Sequence, residues 1–429
     1  MERSTENKNL KEKEPSKNRE GLSAEKGSNK GYKKTIIGWI PEDWEVDKLK
    51  EVIHLISGQH LDTDQYSDNS HETPYFTGPT DVTSKMSEVK KFSSQLNKFA
   101  NYGDVIITVK GSGVGTLFIL KLPKVILGRQ LMAIDSNMIN KPFCYYYLFT
   151  KQSRLKALSS GNMIPGLSRN DILSLSIPIP PLPEQRKIAE IFSTWDKAIE
   201  HTQNLIAQLK LRKKGLMQQL LSGKTRLKGF SGEWKEVQLK DIANRLTTKN
   251  GELNDNVVTI SAQRGFVKQE DFFKKRVASD TLSGYYLIKR GQFAYNKSYS
   301  NGYPMGAFKR LDNLDKAVVT TLYICFNLKN NVDSDFLVNF FEAGLMVRNL
   351  MKIAQEGGRA HGLLNIALND FFSLKMTIPE IEEQQAIAKV LTTADNEIKK
   401  QEAYLAQLQA QKKGLMQKLL TGEVRVKVK

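Results

Sequence analysis

Four short stretches carry residue types that do chemistry elsewhere. Gly111-Ser112-Gly113-Val114-Gly115-Thr116 has the glycine density of a loop that cradles phosphate, but the Gly-x-Gly-x-x-Gly pattern needs glycine at 116. Gly223-Lys224-Thr225 ends like a P-loop. Position 218 is glutamine where that loop needs glycine, however, and the triplet closes a helical pattern rather than opening one. Its counterpart, Gly422-Glu423-Val424, has no lysine. Asn140-Lys141-Pro142-Phe143 is a poor imitation of the Asn-Pro-Pro-Tyr tetrad used for amino-methylation of bases. Glu233-Trp234-Lys235 has the Glu-x-Lys spacing of a nuclease core without an acidic partner strand. Cys144 and Cys325 fall one in each half, which argues for a reducing compartment and against a disulfide framework or a Cys-rich metal site. The five histidines form no spaced ligand cluster. No catalytic constellation, metal set or cofactor site is expected in this chain.

The charge balance points elsewhere. Lys and Arg number 64 against 46 Asp and Glu, a formal net charge of +18 and a pI near 9.5. A polyanionic partner is the expectation, with a merely solvated basic surface as the alternative. Hydrophobic content of 40% and charged content of 26% are ordinary for a globular protein, and 429 residues suffice for two or three domains. No apolar run approaches the ~18 residues of a membrane span, and no signal-peptide pattern opens the chain, so the cytoplasm is the expected location.

These residues need elements to position them, and one long stretch occurs twice. The first copy runs from Pro183-Glu184-Gln185 through Lys213-Lys214-Gly215-Leu216-Met217-Gln218 to Leu220-Leu221-Ser222-Gly223. The second runs from Glu382-Glu383-Gln384 through Lys412-Lys413-Gly414-Leu415-Met416-Gln417 to Leu419-Leu420-Thr421-Gly422. Gln185 to Gln384 and Gly215 to Gly414 give the same offset of 199 residues, so the copies align without a gap. That period is too long for a solenoid; each unit is a domain plus a helix.

Pro183 sits where its missing N–H costs nothing, Glu184 suits the positive end of the helix dipole, and Gly223 and Gly422 fit left-handed C-caps. Apolar residues recur at alternating spacings of four and three: Ile188, Phe192, Trp195, Ile199, then Ile206, Leu209, Leu216 and Leu220 in copy one. Copy two gives Ile387, Leu391, Ala394, Ile398, then Leu405, Leu408, Leu415 and Leu419. A mean spacing of about 3.5 is the coiled-coil period. Parallel pairing sets Lys213 against Lys412 in one seam, whereas antiparallel pairing sends them to opposite ends with their ammonium groups in water. Antiparallel pairing is therefore expected, with the two polar seam positions Thr202 and Gln401 meeting at the centre to fix register. Gly215 and Gly414, inside the helices, suggest either a close approach of another backbone or a slight kink.

Residues 1–34 are rich in Lys, Glu, Ser and Asn and read as a disordered basic tail. Order begins at Gly38-Trp39-Ile40-Pro41-Glu42-Asp43-Trp44, and a similar entry returns at Phe230-Ser231-Gly232-Glu233-Trp234. Each leads into a Trp-anchored strand. Two variable mixed α and β blocks follow, with strands at 104–109, 124–127, 291–296 and 317–324, and helices at 145–149 and 336–341. Each block closes with a glycine-containing loop, Gly161 to Gly166 and Gly357 to Gly362. The expected fold class is α+β: two α/β domains (residues 35–181 and 225–378) separated by two long antiparallel helices (182–224 and 379–425), internally duplicated with pseudo-two-fold symmetry.

The duplicated Leu182-Pro183-Glu184-Gln185 to Ile188-Ala189 opening and the Lys-Lys-Gly-Leu-Met-Gln close resemble the helical regions of type I restriction–modification specificity subunits. So do Pro74-Tyr75-Phe76-Thr77-Gly78-Pro79, Gly103-Asp104-Val105-Ile106 and Tyr295-Asn296-Lys297-Ser298-Tyr299-Ser300. Copy two departs slightly, with Pro379-Glu380-Ile381-Glu382-Glu383-Gln384 as its lead-in. The resemblance implies two target recognition domains, each reading half of a bipartite, asymmetric DNA site. It implies helices that set the spacing and dock two methyltransferase subunits, with motor–nuclease subunits completing the complex. S-adenosylmethionine, ATP and Mg2+ then belong to those partners, and this chain is non-catalytic. Candidate DNA contacts are Gln59, His60, Thr77, Lys110, Ser112, Arg129 and Gln130 in block one. In block two they are Arg264, Lys297, Ser298, Tyr299, Asn301, Arg359 and His361. Lys and Arg suit phosphates, and Arg and Gln suit bidentate contacts to guanine and adenine. At each position an ordinary surface role is the alternative. The other readings are the specificity half of a split type II-like restriction–methylation enzyme, and a coiled-coil scaffold that binds nucleic acid without sequence preference.

Overall fold

The computed structural model describes residues 30–95, 98–159, 166–274, 278–279, 281–354 and 364–428. Most of the N-terminal tail, nearly all of the 161–166 loop, and the 357–362 loop with Arg359 and His361 lie outside them. The chain divides into two compact units, Met1–Asp196 with Ala410–Lys429 and Lys197–Gln409. Both long helices form as the repeated stretch predicts, at Leu182–Leu220 and Ile381–Leu419, each of 39 residues. At 1.5 Å per residue each is roughly 60 Å long. Each helix contributes its first part to one unit and its last part to the other.

Both units are built on the same four-stranded antiparallel sheet. In unit one the order is His54–Ser57, Leu131–Asp135, Val105–Thr108, Leu117–Ile119. In unit two it is Ala243–Leu246, Ile324–Leu328, Phe293–Asn296, Ala307–Arg310. The helix Lys141–Thr150 in unit one and Ser334–Glu342 in unit two bury their aromatic faces in the core below, Phe143 and Phe336 completely. Each Trp-anchored strand pairs antiparallel with the strand that leads into a long helix, Glu45–Lys48 with Ser176–Ile179 and Lys235–Gln238 with Lys375–Ile378.

The rest of each block differs. Unit one adds a second sheet in the order Phe92–Ser93, Thr73–Phe76, Lys124–Leu127, Phe99–Asn101, whose central pair is parallel. Unit two has instead two antiparallel pairs, Val258–Ser261 with Gly265–Lys268 and Tyr286–Lys289 with Lys316–Val319. The apolar run 317–324, expected as one strand, is broken by a turn between Lys316–Val319 and Ile324–Leu328. Apolar, β-branched composition marks buried backbone but does not locate a turn, and here Tyr323 N–H donates to the Thr320 carbonyl to close one.

The helices run antiparallel within each unit. In unit two Lys213 pairs with Asp395 at 2.6 Å, Lys210 with Glu402 at 2.7 Å, and Arg212 with Glu397. In unit one Asp196 pairs with Lys412, and Met416, Leu419 and Leu420 pack against Ile188, Ala189 and Phe192. The two seam lysines thus end on carboxylates rather than in open water. The Thr202 hydroxyl is buried and bonds to the Ala198 carbonyl at 2.8 Å, an intrahelical bond that needs no partner across the seam. Extending the register of the Lys213–Asp395 pair sets Thr202 level with Ala406, more than a turn past Gln401. The close-approach reading of Gly215 and Gly414 is corrected: a side chain at either would meet nothing within 4 Å.

One constellation joins the start of each long helix to the end of the other. Glu184, 1% exposed, accepts the Trp44 indole N–H at 3.1 Å and a two-pronged contact from Arg425 at 2.8 and 2.7 Å. Glu383, 3% exposed, accepts Trp234 at 3.2 Å and Arg226 at 2.6 Å on both prongs. The neighbouring glutamines do matching work. Gln185 accepts the Asn140 N–H and donates to the Pro180 carbonyl, and Gln384 accepts the Asp333 N–H and donates to the Pro379 carbonyl, all at 2.8 Å. Asn140 and Asp333 are the N-caps of the helices beneath the sheets. The Glu-Gln pair of each repeat therefore ties its long helix to three other elements.

Breaking a buried ion pair by removing one partner costs about 3–5 kcal/mol, and the Arg425 side chain is 41% exposed, so solvent screening reduces this. Arg425→Met is expected to lower unfolding free energy by about 1–3 kcal/mol in urea titrations; an unchanged midpoint contradicts the assignment. The hydrogen bond from Arg425 also holds the Asp43 carboxyl below its ordinary value of 3.8. A depressed folded-state value stabilises above the carboxylate range, and that contribution is lost as pH falls below about 3.8.

Candidate nucleic-acid interface

In unit one the structure brings all seven candidates to neighbouring loops. Three glycines make this possible. A side chain at Gly58 would collide with the Gly128 carbonyl, with the Leu127 oxygen also at 2.7 Å. One at Gly128 would collide with the Thr77 carbonyl, with the Phe76 oxygen at 2.8 Å. One at Gly78 would run into the Gln130 carboxamide. Gln59 N–H donates to the Leu127 carbonyl at 2.9 Å, and Val109 N–H donates to the Gln130 carbonyl at 2.8 Å, so the loops at 58–60, 77–79 and 128–130 and the segment from 109 are stacked. A methyl at Gly113 would lie 3.6 Å from the Pro79 ring.

The candidates then separate by what they already do. The Thr77 hydroxyl donates to Asp81, and its N–H donates to the same carboxylate at 2.9 Å, so Thr77 shapes its loop. Asp81 has no signal in the sequence beyond its place four residues on. His60 lies 3.7 Å from Asp62. Lys110 and Arg129 are exposed and enter no ion pair among the described residues; Ser112 is exposed between them in sequence. Lys110 also bridges to Gly166, tying this edge to the block's closing loop.

Unit two repeats that tie, with Leu364 N–H on the Lys297 carbonyl at 3.1 Å. Lys297, Ser298, Tyr299 and Asn301 line the connection between Phe293–Asn296 and Ala307–Arg310, and Tyr299 is 64% exposed. Gln263, which the sequence did not flag, donates to the Asn301 carbonyl at 2.9 Å and so brings the 262–264 turn, with Arg264, to this loop. The Arg264 guanidinium lies 5.6 Å from the Phe272 ring centre. The loop's base is fixed by Tyr295, whose buried hydroxyl donates to the Met305 carbonyl, and by Tyr303, which donates to Glu342 at 2.7 Å. Burial, then the Glu342 carboxylate, push the Tyr303 phenol up, so it stays a neutral donor. A cavity of about 620 Å³ in this unit lies beside Arg226 and Trp234, and no candidate residue lines it.

Among the described residues no cluster of His, Cys, Asp or Glu could hold a metal ion, and no helix is long and apolar enough to cross a membrane. Cys144 and Cys325 are buried, and burial pushes both thiols up to about 12. Each unit offers exposed cations and hydroxyls, with amides half-buried in unit one and exposed in unit two, on loops held by a sheet. That arrangement suits contact with an extended polyanion.

Comparison with known proteins defines the class. Residues 41–211 and 231–409 match the family model described as the type I restriction modification DNA specificity domain, so each match begins near a Trp entry and ends in a long helix. The chain belongs to this family, and it is a type I restriction–modification specificity subunit. It is 26% identical over 420 residues to the type I restriction enzyme MjaVIII specificity subunit of Methanocaldococcus jannaschii, covering 90% of this chain and 94% of that one. The putative MjaX specificity subunit of the same organism is 28% identical over 441 residues, covering 92% and 97%. The fold is shared with the S subunit from M. genitalium, at a TM-score of 0.54 and 16% identity over 88% of this chain and 96% of that one.

The glycine stack yields a stability test. Gly128→Ala is expected to cost about 1–3 kcal/mol because its new methyl meets backbone, whereas Gly78→Ala meets only the flexible end of Gln130. Thermal unfolding of both variants checks this; equal losses contradict it.

Proposed function

We propose that this chain is the non-catalytic, sequence-reading subunit of a complex that methylates and restricts DNA. Each unit's loop cluster reads one half of a bipartite, asymmetric site. The paired helices set the distance between the half-sites and dock two methyltransferase subunits, with motor–nuclease subunits joining them. The observation that carries this reading is the pairing of one repeated architecture with two unlike loop surfaces: the same four-stranded sheet and Trp–Glu–Arg tie support both, while the flanking sheets differ. A shared scaffold with dissimilar heads fits recognition of two dissimilar sequences.

The chemistry divides as nucleic-acid recognition generally does. Exposed Lys110 and Arg129 supply phosphate attraction, which is independent of sequence and falls steeply with salt. Amides and hydroxyls at base edges supply choice. A scaffold that binds without sequence preference has the first component and lacks the second.

Methylation mapping in cells that carry the chain with its methyltransferase partner tests this. Two defined half-sites with a fixed gap are expected, and replacing residues 225–378 with those of a relative is expected to change one half-site only. A contiguous motif, or a change in both halves, contradicts the proposal.

A further inference from the structure

We infer that Gln130 is a specificity-determining residue of unit one, its carboxamide presented to a base edge from a slot that exists because residue 78 is glycine. This deepens the recognition reading above and rests on it. Gly78 has φ −169° and ψ −173°, extended backbone that any residue adopts, so its conformation does not call for glycine. What calls for it is Gln130, whose side-chain Cδ would sit 3.2 Å from an added methyl and whose carboxamide oxygen would sit closer still.

The three glycines of the stack are thus of two kinds. Gly58 and Gly128 make room for backbone carbonyls and hold the loops together. Gly78 makes room for one polar side chain. That side chain is half-buried, and among the described residues its carboxamide makes no hydrogen bond; only the Gln130 backbone carbonyl is engaged, by Val109. Ordering a long, flexible side chain costs entropy, and nothing within the described protein offsets that for the amide. Its donor and acceptor remain available.

Its neighbours narrow the ligand. Arg129 is adjacent and exposed, and Lys110 follows Val109, the residue bonded to Gln130. Two cations without ion pairs flank a neutral amide, which sorts them into backbone contacts and a base contact. A carboxamide matches adenine, accepting from N6 and donating to N7 in the major groove. The base pair read by Gln130 is therefore A·T.

The test uses the chain in complex with its methyltransferase subunit. Exchange of residues 35–181 first identifies the half-site that unit one reads. Gln130→Ala is then expected to relax one A·T position of that half-site, leaving its other positions, the gap and the other half-site unchanged. Gly78→Ala is expected to relax the same position, and the double variant is expected to be no more relaxed than Gln130→Ala alone. Should a variant methylate nothing, binding of the complex to duplexes altered one base pair at a time gives the answer. The native complex discriminates roughly tenfold to a hundredfold at that pair and Gln130→Ala is expected to flatten the preference. Lys110→Ala and Arg129→Ala instead weaken binding to all duplexes and shallow its salt dependence. An unaltered motif and unaltered discrimination in Gln130→Ala, or relaxation of different positions by Gln130→Ala and Gly78→Ala, overturns the slot while the bipartite reading stands. A native motif that is not bipartite overturns both.

Discussion

A carboxylate almost sealed from solvent, held by an indole N–H and an arginine that arrives from the far end of the other long helix, is the interaction on which the structure depends. It occurs twice, at Glu184 and at Glu383. A buried carboxylate is tolerable only when its lone pairs are matched, and here the matching groups are distant in sequence: Trp44 and Arg425 for Glu184, and the stretch from Arg226 to Trp234 for Glu383. Neither unit can complete its own buried carboxylate from one contiguous segment: Arg425 serves Glu184, and Arg226 serves Glu383. The repeats are thus interlocked by chemistry as well as by sequence similarity.

This tie also explains features that look functional in isolation. Gly223-Lys224-Thr225 and Gly422-Glu423-Val424 turn the chain out of a helix so that an arginine three residues after each glycine reaches back. Gly223 and Gly422 both have positive φ, and both sit against an entry tryptophan, Trp234 and Trp44. In Glu233-Trp234-Lys235 the tryptophan is the indole donor to Glu383, and Lys235 pairs with Glu380. The seam ion pairs continue the same logic along the helices, with Lys213 on Asp395 and Lys412 on Asp196.

The duplication, both helices with their ends, the Trp-anchored strands, the strands at 105–108 and 293–296, and the buried aromatic helices were legible because each rests on local pattern: period, capping residues and β-branched runs. The partners of Glu184 and Glu383 were not, because Arg226 and Arg425 lie in short segments with no periodicity, although their common offset of 199 residues was a usable signal. The expected Thr202–Gln401 layer placed too much weight on two polar seam residues. A threonine in a helix can satisfy its hydroxyl on the preceding turn, as Thr202 does on Ala198, while charged pairs beside the seam carry the alignment. In the loops, residue type singled out side chains of unit one that the structure gathers on neighbouring loops. It could not tell that Thr77 is occupied by Asp81, or that Gly78 makes room for Gln130, because both depend on contacts across loops.

In the proposed reading the antiparallel helices are a ruler, and that claim is open to a length measurement. Inserting one heptad into each helix, between Asp196 and Lys197 and between Gln409 and Ala410, preserves the seam period and adds about 10 Å to each rod. Methylation mapping of this variant should return both native half-sites with a gap longer by about three base pairs, at 3.4 Å per base pair. An unchanged gap, or altered half-sites at the native gap, would contradict the account.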